Sequence, residues 1–160
     1  MGVRMRAEWI NPFLFSLANT FETVLGCRLQ RGSLKLRDDS RASHEVSGII
    51  GLSGEIAGMA VLSLSRSLAL KAASTMLMAE IQEINDDVID AVGELTNIVA
   101  GAAKSDLGPY ELSIGLPSVI TGPNHCVRFP SDVTPIVAPY QSEWGPLTLE
   151  VGLAAKKASV

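Results

Sequence analysis

Segments with the composition of β-strands are clustered in this chain instead of alternating with helices, and this order limits the possible folds most strongly. Six segments read as strands, in two groups of three: residues 28–37, 46–53 and 55–65, then residues 111–121, 133–139 and 146–154. A helical pattern precedes the first group, and two more lie between the groups. Clustered strands are typical of an α+β domain with a largely antiparallel sheet. We therefore expect three main helices on a sheet of about six strands, in a single domain spanning residues 1–160.

The strand segments also carry signals about their place in the sheet. Residues 55–65 are apolar on both sides, which predicts a central strand covered on both faces. Ser53 and Gly54 favour a tight hairpin turn before it. The later strands contain three prolines, Pro117, Pro135 and Pro139. Because proline lacks a backbone N–H, these residues indicate edges, bulges or interruptions there.

Residues with known capping preferences mark the ends of the first two helices. Asn11 is a good N-cap for the first helix, with Pro12 at its first helical position and Gly26 after its last turn. Ser65 is the expected cap of the second helix, which runs over about residues 66–78.

The third helix is the most informative segment. It is expected to begin after Asn85, a good N-cap, and to end at Gly108-Pro109. At about 100° per residue its side chains form two stripes. One is apolar and should face the core: Val88, Val92, Leu95, Val99 and Ala102. The other lies on roughly the opposite side: Asp90, Glu94, Asn97, Gly101 and Lys104.

Two glycines accompany the acid and the amide on the second stripe. Gly93 and Gly101 each cost about 1 kcal/mol relative to alanine inside a helix, and an ordinary solvated face would carry larger residues there. Glycines beside Glu94 and Asn97 leave a shallow surface that another backbone can approach closely. We state a protein-docking face as a hypothesis from this pattern, although acids and amides are also common on the solvated face of a helix. A plain solvated helix face is the alternative that periodicity alone leaves open.

Charge and composition exclude several functional classes. The formal net charge is −4 and no run of Lys or Arg occurs, which disfavours a nucleic-acid partner. No apolar run approaches the ~20 residues needed to cross a bilayer, and the start of the chain does not read as a secretory signal. We therefore expect a cytoplasmic protein without a membrane segment.

The residues that most often bind metals or attack phosphate form no credible site in the sequence. His44 and His125 lie far apart and neither has a second ligand at metal-binding spacing. Cys126 is separated from Arg128 only by Val127, whereas a cysteine phosphatase needs a longer phosphate-binding loop between such residues. We expect no metal site and no cysteine nucleophile.

The second stripe of the third helix resembles the signature of the CheC/CheX/FliY family of bacterial chemotaxis phosphatases. That signature has an acidic or serine residue, then three positions, Glu, two positions, Asn and a later proline. Asp90, Glu94 and Asn97 match it, and Pro117 is the candidate for the proline, with 19 residues (98 to 116) between it and Asn97. This gap is a few residues shorter than usual in the family. The order of elements also agrees over roughly residues 5 to 155.

The motif occurs once. In the first helix Asn19 has Ser16 three positions before it, where a glutamate would be needed. A single active helix is more similar to CheX than to the two-site CheC proteins, and the resemblance implies a homodimer.

The resemblance also implies a reaction: hydrolysis of the aspartyl phosphate of a CheY-like response-regulator receiver domain. Asn97 would position the attacking water, and Glu94 would pair with a lysine of the receiver. The supporting positions are Asp90, Gly93, Gly101, Lys104 and Pro117. The resemblance implies no cofactor on this chain, with Mg²⁺ on the receiver. A non-catalytic receiver-binding module and a structural dimerisation module of a flagellar system are the alternatives.

Overall fold

The computed structural model describes residues 5–37 and 43–156, and within them three α-helices lie on one face of an antiparallel sheet. The helices are α1 (Ala7–Leu25), α2 (Arg66–Leu77) and α3 (Asp86–Ser105), and a 3-10 turn follows at Gly108–Tyr110. The strands are β1 (Gln30–Arg31), β2 (Lys35–Leu36), β3 (Val46–Ser53), β4 (Ile56–Leu64), β5 (Ser113–Ile114), β6 (Ser118–Thr121), β7 (Ile136–Gln141) and β8 (Leu147–Ala155).

The sheet has eight strands where about six were predicted, and the difference lies at its two edges. The order is β1-β7-β8-β4-β3-β5, with β2 also paired to β7 and β6 also paired to β3. Two of the predicted strands, residues 28–37 and 111–121, are each divided into two short strands. β1 and β2 both pair with β7, and β5 and β6 both pair with β3. The sheet is therefore six strands wide, as predicted, but both of its edge strands are interrupted.

Each interruption is a β-bulge. Arg31 pairs with Tyr140 but Lys35 pairs with Val137, so the edge strand has one more residue than β7 between these pairs. Pro139 lies opposite this bulge and accepts a hydrogen bond from the Gly32 N–H at 2.8 Å that it cannot reciprocate.

The second bulge lies in the other edge strand. Ile114 pairs with Leu52 but Ser118 pairs with Ile49, again with one extra residue on the edge strand. Pro117 belongs to this bulge. The predicted bulges at Pro117 and Pro139 are thus confirmed, with Pro117 in an edge strand and Pro139 in β7 opposite the other bulge. Pro135 precedes β7, which begins at Ile136 and not at residue 133.

β4 is a central strand covered on both faces, as predicted. It pairs with β8 along its whole length and with β3 from Gly58 to Leu64, and its residues 61–64 are all buried. The helices cover one face of the sheet. The segment 122–135 crosses the other face, where side chains of Phe129 and Val133 fill the space beside a glycine of β8.

α1 begins earlier than predicted. It starts at Ala7, so Asn11 does not cap it and Pro12 lies inside it. Its first turn carries Trp9 and Ile10, which are almost fully buried. Burial of these large side chains outweighs the hydrogen bond that proline removes from the helix. The predicted end is confirmed, because Gly26 adopts a left-handed conformation (φ 64°) at the C-cap.

The start of α2 is confirmed at Arg66, but the Ser65 side chain makes no capping hydrogen bond. Its last residue is Leu77, and Met78 forms the C-cap. None of the helices in residues 5–37 and 43–156 is long and apolar enough to cross a membrane.

Candidate functional site

α3 carries the predicted site, and both of its ends are stabilised locally. The Asn85 side chain accepts a hydrogen bond from the Val88 backbone N–H at 3.1 Å, which confirms Asn85 as the N-cap. Asp86 and Asp87 lie in the first turn and Lys104 lies in the last, so each charge interacts favourably with the helix dipole. α3 therefore begins at the residue that the sequence indicated.

The inward stripe of α3 differs from the prediction at one position. Val88, Val92, Leu95 and Val99 are buried as expected. Ala102 is exposed, and its neighbour Ala103 is the buried residue instead. The 3.6-residue repeat drifts against any fixed choice of positions over a helix of this length, and the last turn is where the error shows.

α3 lies very close to the sheet at Thr96, between Glu94 and Asn97. The Thr96 hydroxyl is buried and donates a hydrogen bond to the Val92 carbonyl at 2.7 Å. A Cβ on Gly48 of β3 would overlap the Thr96 Oγ1 atom. A glycine at position 48 is therefore needed for this close approach. Neither residue was predicted from the sequence, where the glycine inside an apolar strand is the signal for this contact.

α1 holds α3 from the other side. The buried Ser16 hydroxyl donates a hydrogen bond to the Val99 carbonyl at 2.7 Å. Ser16 stands where a second copy of the motif would require a glutamate, and in this chain it joins the two helices instead. Asn19, the possible second asparagine, is exposed on α1.

Glu94 and Asn97 lie on the surface of α3 as predicted. They are three residues apart, which corresponds to about 4.5 Å along the helix axis. Glu94 is exposed and Asn97 is half-buried. Within residues 5–37 and 43–156, neither the Glu94 carboxylate nor the Asn97 amide has a hydrogen-bond or ion-pair partner. An acceptor-only carboxylate and an amide that both donates and accepts are thus available to a partner molecule.

Gly93 is not on the open surface, contrary to the prediction. It is buried, and a Cβ on it would lie 3.5 Å from Val119 Cγ2 and 3.9 Å from Pro117 Cγ. These are ordinary contact distances, so packing alone does not require glycine at position 93. The same distances place Pro117 beside α3 at Gly93, the residue that precedes Glu94. The short stretch of sequence between Asn97 and Pro117 does not prevent this contact.

The remaining predicted residues occupy the exposed stripe. Asp90 is exposed one turn before Glu94, and Lys104 is exposed about 10 Å beyond Asn97 along the helix. Gly101 is half-buried, and a Cβ on it would meet only Ile114 Cδ1, at 3.9 Å. Asp90, Gly101 and Lys104 therefore share one face of α3 with Glu94 and Asn97, whereas Gly93 lies at the covered edge of that face.

The histidines and cysteines do not contribute to this face. His125 lies on the opposite side of the sheet, where its Nε2 atom is 2.7 Å from the Ser47 hydroxyl and its Nδ1 atom is 2.8 Å from the Gly122 carbonyl oxygen. Burial raises the pKa of the Cys27 thiol, which disfavours the reactive thiolate. No group of three or more His, Cys, Asp or Glu residues in the described part of the chain is placed to hold a metal ion.

The opposite side of the sheet also holds a buried ion pair. Arg37 Nε lies 2.8 Å from Glu150 Oε2, and the Arg37 guanidinium also donates to the Val127 carbonyl and lies over the Phe129 ring. These contacts fasten segment 122–135 to the sheet, so we assign this cluster a structural role.

Comparison with known proteins identifies similar chains. The family model described as "Chemotaxis phosphatase CheX" matches residues 46–141, a range that contains α3 and β6. The protein named "CheY-P phosphatase CheX" from Thermotoga maritima is 30% identical over 121 residues, which cover 74% of this chain and 78% of that protein.

Solved structures show the same fold. The crystal structure of a CheC-like superfamily protein from Shewanella sp. PV-4 has a TM-score of 0.89 and 35% identity, and the match covers 94% of this chain and 100% of that one. The crystal structure of the CheX–CheY–BeF3–Mg²⁺ complex from Borrelia burgdorferi has a TM-score of 0.79 at 21% identity, covering 92% of this chain and 99% of that one.

Proposed function

The chain belongs to the CheX family of chemotaxis phosphatases, and we propose that it removes the phosphate from the aspartyl phosphate of a CheY-like receiver domain with Asn97 and Glu94. The observation that carries this proposal is that both side chains lie one turn apart on the surface of α3 without a partner among the described residues. Polar groups left available on a rigid helix suit recognition of another molecule.

Asn97 has the chemistry to position a water molecule. Its amide oxygen accepts a hydrogen bond from the water and its amide nitrogen donates one to an oxygen of the reacting groups. The water oxygen attacks phosphorus, the bond between phosphorus and the aspartate oxygen breaks, and the products are inorganic phosphate and a free aspartate carboxylate. Positioning of this kind lowers the barrier without a covalent intermediate on the phosphatase.

Glu94 serves docking in this proposal. Its exposed carboxylate pairs with a lysine of the receiver beside the phosphoryl group, which fixes the orientation of the two proteins. The Thr96–Gly48 contact and the Ser16–Val99 hydrogen bond hold α3 against the sheet and α1, so that Glu94 and Asn97 are presented from a rigid support.

The supporting residues have smaller roles. Asp90 and Lys104 border the interface, Gly101 leaves room for the receiver's backbone, and Pro117 packs beside Gly93 at the edge of the site. We also propose that the protein acts in the cytoplasm as a homodimer, and that the Mg²⁺ of the reaction is held by the receiver and not by this chain. Light scattering of the purified protein tests the dimer.

Phosphate release from a receiver tests the proposed function. Candidate receivers are phosphorylated with a small phosphodonor in the presence of Mg²⁺, and loss of phosphate is followed with and without the protein and its Asn97→Ala and Glu94→Ala variants. Asn19→Ala is the matched control, because Asn19 is an exposed asparagine on α1. Docking is measured separately with receiver loaded with beryllofluoride.

The result expected is acceleration by the native chain that Asn97→Ala abolishes while docking is retained, and weaker docking of Glu94→Ala. Docking without any acceleration would contradict the phosphatase proposal and indicate a binding module. An Asn97→Ala variant that loses only self-association, with receiver phosphorylation unaffected by either protein, would indicate a structural dimerisation module.

A further inference from the structure

The bulge in the edge strand next to α3 turns one leucine away from the protein. Ile114 pairs with Leu52 and faces the helices, and by strand alternation residue 116 would face them as well. The extra residue of the bulge shifts this alternation, so Pro117 lies against α3 instead. Leu116 is left 92% exposed. Bulges often redirect a side chain beside an active site.

The bulge runs alongside the part of α3 that carries Glu94 and Asn97. At one end Ile114 lies beside Gly101, and at the other end Pro117 lies beside Gly93. Eight helical residues span about 12 Å, and three extended residues span about 10 Å, so the bulge follows α3 past Asn97. Asn97 lies on the flank of α3 that faces the bulge, since it is only about 40° around the helix from Gly93.

The position of Leu116 is held by contacts on both sides. The Gly115 N–H donates a hydrogen bond to the Gly51 carbonyl at 2.9 Å, and Pro117 packs against α3. A single exposed leucine on a protein surface is ordinary. This one differs because it is presented at the rim of a polar site by an irregularity of the backbone, and because the site itself is open to a partner.

We propose that Leu116 is a docking residue for the receiver, inserting into an apolar depression beside the phosphorylated aspartate. This proposal rests on the proposed function and extends it to the part of the receiver that is recognised. In the proposed function Glu94 and Asn97 engage the charged and polar groups around the phosphoryl group. An apolar contact at their edge adds affinity and distinguishes receivers by the shape of their surface.

Steady-state phosphate release tests this role, with KM and kcat measured separately for the native chain, Leu116→Ala and Leu116→Met. Leu36→Ala is the matched control, because Leu36 is also an exposed edge-strand leucine (68%) but lies at the opposite edge of the sheet. We expect Leu116→Ala to raise KM about ten- to thirtyfold with kcat unchanged, given the apolar area that it removes. Leu116→Met should recover most of the loss, and Leu36→Ala should behave like the native chain.

Binding to beryllofluoride-loaded receiver should weaken by the same factor for Leu116→Ala, and its thermal unfolding midpoint should stay at the native value, since Leu116 is exposed. A KM within twofold of native for Leu116→Ala, in an assay where Asn97→Ala is inactive, would overturn the role of Leu116 and leave the proposed function intact. A native chain that accelerates no receiver would overturn the proposed function, and the role of Leu116 with it.

Discussion

The hydroxyl of Thr96 in α3 occupies the place where a Cβ at position 48 would project from β3. Thr96 lies between Glu94 and Asn97 in the chain, so this contact sets how deeply the site-bearing part of α3 sits on the sheet. A close contact between a helix and a strand backbone responds sharply to added volume, because the interior is densely packed.

Gly48→Ala should therefore destabilise the protein. The added methyl group overlaps Thr96 Oγ1, and overpacking of this kind typically costs about 1–3 kcal/mol. We expect a lower midpoint in urea unfolding and slower phosphate release, because α3 must shift outward. Gly51→Ala is the control in the same strand, since a Cβ there has no neighbour within 4 Å. Equal stability of the two variants would show that α3 does not depend on this contact.

Asn97→Asp should lose activity although the side chain keeps its shape. The carboxylate cannot donate a hydrogen bond, and its negative charge repels the phosphoryl group. We expect kcat to fall by about 100-fold or more, in line with the loss of a single well-placed donor in an active site. Asn19→Asp makes the same change on α1 and should leave kcat at the native value. Activity of Asn97→Asp near the native rate would exclude a water-positioning amide.

The two glycines of α3 should respond differently to alanine. Gly101→Ala should stabilise the helix by about 1 kcal/mol, because the new Cβ meets only Ile114 at contact distance. It should also weaken docking to beryllofluoride-loaded receiver, since Gly101 lies on the face that carries Glu94.

Gly93→Ala is the comparison for Gly101→Ala. It also adds a methyl group to α3, but beneath Pro117 and Val119, where the receiver has no access. It should therefore leave docking unchanged. Equal docking of both variants would mean that the receiver does not approach the helix backbone at Gly101.

Two of the predicted N-caps, Asn85 and Ser65, should differ in stability tests. Asn85 accepts the Val88 N–H, so Asn85→Ala should lower the free energy of unfolding by about 1 kcal/mol. Ser65 makes no capping hydrogen bond, and Ser65→Ala should change the free energy of unfolding by only a few tenths of a kcal/mol. Chemical denaturation of both variants measures this difference, and a larger loss for Ser65→Ala than for Asn85→Ala would contradict it.

The residues of α3 show how much of the candidate site could be predicted from the sequence. The cap at Asn85, the apolar stripe through Val99 and the spacing of Glu94 and Asn97 depend on neighbours within one or two helical turns, and the structure has them where the sequence indicated. The irregular strands could be predicted in the same way, because a proline lacks the backbone N–H that regular strand pairing uses.

Other features were decided only when distant segments packed together. α1 starts before Pro12 because burial of Trp9 and Ile10 in the core stabilises its first turn. The neighbouring sequence does not indicate that burial. Gly93 is covered because a bulge some twenty residues later places Pro117 over it.

The sequence by itself thus determined the kind of elements, their order and the pair of residues on α3, since these follow from periodicity and capping. The tertiary structure alone decided that Thr96 rests on Gly48 and that Leu116 points outward. Contacts between distant residues depend on the register and depth at which elements meet. Those quantities are set by the volume of the whole core and not by any short stretch of chain.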